Sequence, residues 1–190
     1  LIEVFGLKGD LLTEPKPSDY QDDKITVHSD DEVPSIAIIP FDNKGADEDV
    51  FYAYGISADL ISDCSSAGLI RVASLKDVEK LDYNNLETSE LSNKLLVRYI
   101  SQGTLWKMGE MFQLSVELYD TKDKKVVWSD RWQEKWDNLT MVKGKLSDGL
   151  LKVLDMKPQI EDNIVTTNPE AYEYYLKGRH KLLVPDSKED

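Results

Sequence analysis

Two histidines, one cysteine and a surplus of carboxylates are the side chains from which this 190-residue chain would build any catalytic chemistry. A metal site needs ligands brought together, most simply as two histidines at i and i+4. His28 and His180 stand far apart and have no such partner. The loop "DNKGADED", residues 42–49, offers Asp42, Asp47, Glu48 and Asp49 to a cation, but it lacks the glycine placement and terminal glutamate of an EF-hand. A solvated acidic loop is the reading it favours. Gly45 and Gly55 are isolated, so no glycine-rich loop cradles a phosphate, and no serine stands in a nucleophile elbow. Cys64 falls on the apolar stripe of a helical segment, where a thiol packs as a small hydrophobe. No set of residues supplies nucleophile, base and metal together, so the chain reads as non-enzymatic, with no cofactor of its own.

The aromatic residues carry more. Trp106, Trp128, Trp132 and Trp136 gather around one stretch of strands, and Trp128 and Trp132 share a face if their strand is regular. Core packing beneath helices is the first reading. An exposed contact surface is the second, because tryptophan is enriched at binding hot spots. Trp128 and Trp132, with Tyr172 and Tyr175 of the last helical segment, are the candidate interaction surface. The segment "FYAYG" follows the acidic loop at the carboxyl end of the first strand, the edge where α/β sheets bind ligands. Asp42, Asn43, Phe51, Tyr52 and Tyr54 are therefore the candidate small-ligand site.

These residues must be positioned by regular elements, and the hydrophobic periods supply them. "PSIAIIPF" is a continuous apolar run stopped by Pro40, as expected of a strand buried on both faces. Residues 50–67 place Ala53, Ile56, Leu60, Ile61, Cys64 and Ala67 on one helical stripe ending at Gly68, and "LIRVAS" follows as a second strand. A right-handed βαβ unit with parallel strands is the expected topology. A second helix lies near 89–96. From Arg98 the period becomes two, and "MFQLSVELYD" alternates Phe112, Leu114, Val116 and Leu118 against Gln113, Ser115 and Glu117. It is the middle strand of an antiparallel meander. A long helix from Asp137 stops before Pro158, and "NPEAYEYYLKGRHKLL" starts another, with Asn168 as cap and Pro169 in the first turn. This last helix has no evident partner. The fold class is α/β of mixed type: a mixed five-stranded sheet with a βαβ start, an antiparallel meander and packed helices, plus a terminal helix.

Charge and composition limit the partners. The net charge of −13 repels phosphate backbones and anionic lipid, so nucleic acid is not an expected partner. Residues 13–34 combine Pro15, Pro17 and Pro34 with an acidic run, which is linker composition. No apolar run approaches the roughly 20 residues of a membrane span. A single cysteine allows no internal disulfide and is compatible with a reducing compartment.

The ordered segments "PSIAIIPFDN", "VFYAYGISADLISDCSSAGLIRVAS", "VRYISQGTLWKMGEMFQLSVELYDTKDKKVVWSDRW" and "NPEAYEYYLKGRH" resemble the TolB amino-terminal-like module. In many bacterial signalling proteins that module stands between a class III adenylate or guanylate cyclase domain and an array of tetratricopeptide repeats. The resemblance spans about residues 34–180, and its strength lies in the order of the pieces. It implies the following organisation: residues 1–12, "LIEVFGLKGDLL", as the tail strand of a preceding cyclase domain, 13–34 as an acidic linker, 35–157 as the TolB-like domain, and 168–190 as the start of a tetratricopeptide-like region. An ordinary edge strand is the alternative for 1–12. None of the family's catalytic positions lies in this chain, so a divalent metal belongs only to the cyclase domain.

The resemblance further implies a regulatory or protein-interaction module responding to a partner protein or small-molecule signal, with homodimerisation as class III cyclases generally show. Because the linker cannot cross a bilayer and a cyclase needs cellular nucleoside triphosphate, the expected location is cytoplasmic, with periplasmic as the alternative. Two rival functions remain: an envelope binding scaffold, and an output regulator following a DNA-binding domain.

Overall fold

A computed structural model describes residues 33–156 and 168–183. The tail strand expected at 1–12, nearly all of the acidic linker, and His28 lie outside the described residues.

The βαβ unit forms as its sequence periods require. β1 (Ser35–Ile38) is buried at all four positions and pairs in parallel with β3 (Arg71–Val72) on one side and β4 (Tyr99–Met108) on the other. α1 (Val50–Ser66) makes the crossover and buries Ala53, Ile56, Leu60 and Cys64. Just beyond it the chain turns at Gly68, whose φ of 103° suits glycine. β5 (Met111–Asp120) and β6 (Lys125–Lys135) complete an antiparallel meander with β4.

The strand order is β3-β1-β4-β5-β6. A two-residue strand not expected from the sequence, β2 (Asp42–Asn43), pairs with β4 beyond the end of β1, giving six strands in all. Two residues are too few to show a period. For the same reason the five-residue α2 (Leu75–Glu79) escapes a periodicity reading, although its cap is legible: Ser74 Oγ accepts from the Asp77 amide at 3.2 Å. α3 (Thr88–Leu95) follows as expected and ends at Leu96 in the left-handed region, φ 55°.

The sheet's two faces are covered unequally. Ile36, Ile38, Leu105, Phe112, Leu114, Val116 and Leu118 form the main core with α1 and α4 (Leu139–Val153). Each such side chain contributes on the order of 1.5–3 kcal/mol on leaving water. On the other face α2 and α3 cover only Ala37, Ile39 and Ile100. The rest of that face, over β4, β5 and β6, carries polar side chains at its centre, Gln102, Thr104, Ser115, Glu117, Ser129 and Arg131, with the exposed Trp106 beside them.

α5 (Pro169–Leu183) corrects one expectation, because the helix that lacked an evident partner packs on α1. Tyr172 and Leu176 are buried there. The approach is close at Gly55, where an added Cβ would lie 2.7 Å from Leu176 Cδ2.

Candidate functional site

Two constructions stand out: an open polar groove on the uncovered sheet face, and a charged clamp that fixes α5 to α1. The groove has a volume of about 900 Å³. Its floor follows from strand register. Gln102 on β4 lies opposite Glu117 on β5, which lies opposite Ser129 on β6; the next row on the same face is Thr104, Ser115 and Arg131. Arg131 Nε donates to Ser115 Oγ at 3.3 Å. Asp42, Tyr83 and Leu86 contribute to the wall. The floor backbone is tied into the β-ladder, so these side chains project from a stiff base.

The clamp centres on Asp59, an acid in the middle of α1 that is only 5% exposed. Its carboxylate accepts from the hydroxyls of Tyr172 and Tyr175, each at 2.8 Å, and from Arg179 Nη1. Arg179 Nη2 also donates to the Ala58 carbonyl at 3.0 Å. Burial first, and then the negative carboxylate, push the Tyr172 hydroxyl well above its ordinary pKa, so it stays a donor. One turn further along α1, Asp63 pairs with the buried Lys143 of α4 at 2.5 Å. Two acids four residues apart therefore tie α1 to two different helices.

The five residues expected to form a ligand site do not converge. Asp42 lines the groove and pairs with Lys44 at 3.2 Å. Asn43 serves its own turn, donating to the Ala46 carbonyl and accepting from the Gly45 amide. Phe51 and Tyr52 lie beneath α5, with Tyr52 ringed by Trp136 and hydrogen-bonded to Glu173. Tyr54 is buried and donates to Glu79 of α2 at 2.6 Å. The cause is geometric: consecutive helical residues point about 100° apart, so neighbours in sequence serve different surfaces.

Around Glu173, burial opposes ionisation, but hydrogen bonds from Lys177, Tyr52 and Trp136 outweigh it and hold the carboxyl below its usual range. Burial pushes the Cys64 thiol up to about 12, consistent with a packed rather than a reactive sulfur. Asp49 lies 3.7 Å from Lys107, and among the described residues no three His, Cys, Asp or Glu side chains gather as a metal cage.

The expected interaction residues divide as well. Trp128 and Trp132 do share a face, with ring centroids 6.3 Å apart, but it is the helix-covered face, where both are half-buried against the main core. Tyr172 is buried and presents no free surface in this arrangement, whereas Tyr175 is 48% exposed. Trp106, on the open face, is 47% exposed.

Asp59 and the groove rows were missed by sequence reasoning. The signals present were an acid inside an apolar helical stripe, and the Ser115 and Glu117 side of an alternating strand.

No protein-family model matches the chain. Over 156 residues it is 23% identical to the Rhizobium meliloti (strain 1021) protein named "Putative adenylate cyclase 3", a match covering 79% of this chain and 27% of that protein. The chain thus spans little more than a quarter of the length of this curated relative. Among solved structures the fold is similar to TolB from Acinetobacter baumannii, with a TM-score of 0.51 and 18% identity over 65% of this chain and 29% of that one. Lipoprotein GNA1162 from Neisseria meningitidis aligns over 64% of this chain and 98% of its own length at 18% identity, with a TM-score of 0.47. No helix among the described residues is long and apolar enough to cross a membrane.

Proposed function

We propose that this chain is a non-catalytic regulatory module of a nucleotide-cyclase-related signalling protein, binding a small ligand or partner and altering the output of an attached cyclase domain. The observation that carries this reading is the asymmetry of the sheet. One face is sealed by α1 and α4, while the other holds an open groove with a stiff polar floor. A binding surface needs no more than that, and the sequence match to an adenylate cyclase of the stated name supports the signalling context. α5 opens a tetratricopeptide-like region and is anchored to the module through Asp59, so a change at the module can be passed along the helix. The cytoplasm is the corresponding location, and the cyclase domain is where any divalent metal acts.

Signal transfer requires two states with different affinity for the signal. The test is cyclic nucleotide production by the full-length protein beside a truncation lacking residues 34 onward, with ATP or GTP and manganese. Altered activity on truncation supports regulation. If neither protein makes cyclic nucleotide while a known cyclase does, the envelope-scaffold reading takes precedence.

A further inference from the structure

The groove's two floor rows differ in charge. The first, Gln102–Glu117–Ser129, places a carboxylate between an amide and a hydroxyl; the second, Thr104–Ser115–Arg131, ends in a guanidinium beside two hydroxyls. Rows on one face of a strand repeat every two residues, about 7 Å, so the two charges stand diagonally across the β5–β6 ladder. A direct Glu117–Arg131 pair would cancel them, yet Arg131 reaches across its own row to Ser115. Glu117 is exposed and engages no cation among the described residues. Neutral hydrogen-bonding groups share the rows of both charges, Asp130 also lines the groove with its carboxylate accepting from the Arg131 amide at 2.7 Å, and Tyr83 and Leu86 close one side with apolar surface.

We infer that this groove binds a small zwitterion, a free amino acid or short peptide, with its ammonium on Glu117, its carboxylate on Arg131, and its side chain toward Tyr83 and Leu86. An anion alone would meet Glu117, and a cation alone would meet Arg131; only a ligand bearing both charges satisfies both rows. This deepens the proposed regulatory reading and rests on the groove being its ligand site.

The test is a ¹H–¹⁵N NMR titration of the 190-residue chain with diglycine and with each of the twenty common amino acids. At least one probe is expected to give saturable shifts centred on Gln102, Thr104, Ser115, Glu117, Ser129 and Arg131. Glu117→Gln and Arg131→Gln are each expected to weaken binding about tenfold or more, the loss typical of a charged hydrogen bond, and both are surface changes that leave the fold's spectrum intact. N-acetylation of the bound probe, which removes its positive charge, should weaken binding similarly. Absence of saturable shifts with every probe, shifts centred elsewhere, or full binding of the N-acetylated probe would each overturn the zwitterion site. Because binding is read on the chain itself, its failure is separable from that of the regulatory reading. A bound zwitterion that leaves full-length cyclase output unchanged would retain the site and remove its regulatory role.

Discussion

At the scale of single residues, buried charge explains more of this protein than its aromatic side chains do. Asp59 is held by two tyrosine hydroxyls and a guanidinium, so truncating it strands three donors in a partly dry interface. Asp59→Ala is expected to lower stability by about 2–4 kcal/mol, read as a fall in the urea midpoint. Tyr175→Phe removes one half-exposed donor and should cost under about 1.5 kcal/mol. Arg98 and Asp120 form a second such pair at 2.6 Å, joining the start of β4 to the end of β5. Burial opposes ionisation of Asp120, but the hydrogen bond from Arg98 and the amides of Asp123 and Lys122 more than offset it, leaving its pKa lowered. A carboxylate with a depressed folded pKa contributes stability that is present above its unfolded value, about 3.9, and is lost as pH falls through the folded value. Asp120→Asn should therefore flatten the acid limb of a stability–pH curve below about pH 4. An acid limb as steep as in the parent protein would count against this.

At the scale of elements, close approach is set by glycine. Trp128 of β6 lies over Gly149 of α4, where an added Cβ would be 2.6 Å from Cζ2 of a ring that cannot bend aside. Alanine is the better helix former by about 1 kcal/mol, so Gly149→Ala would stabilise α4 if packing were indifferent. The expected outcome is the reverse, a net loss of about 1–2 kcal/mol, with a shift in tryptophan fluorescence as the indole is displaced. Unchanged fluorescence with a stability gain would mean that α4 does not rest on Trp128. The elements themselves were largely legible. α1, α3, α4, α5 and the meander each carry enough residues for a period to show, whereas β2 and α2 are too short. The candidate ligand site was not legible, because residues 51–54 share a helix turn but face different neighbours: α5 for Phe51 and Tyr52, and α2 for Tyr54.

At the scale of the whole molecule, the central fact is that α1 is gripped from two sides, by α5 at Asp59 and by α4 at Asp63. The terminal helix is consequently part of the same packed body as the sheet, and the proposed change in cyclase output on truncation depends on transmission through the whole module. The sequence by itself determined the strand and helix periods, the parallel start and antiparallel finish of the sheet, the burial of Cys64, and the pairing of Trp128 with Trp132 on one face. Those features follow from local period and from a steric rule on crossovers, both of which act within a few dozen residues. Only the tertiary structure decided that Asp59 would meet residues more than 110 positions away, that α5 would have a partner, and that Glu117 and Arg131 would share an open floor. Register and helix docking depend on how separate faces fit together, and that fit is a property of pairs of surfaces that no single segment encodes.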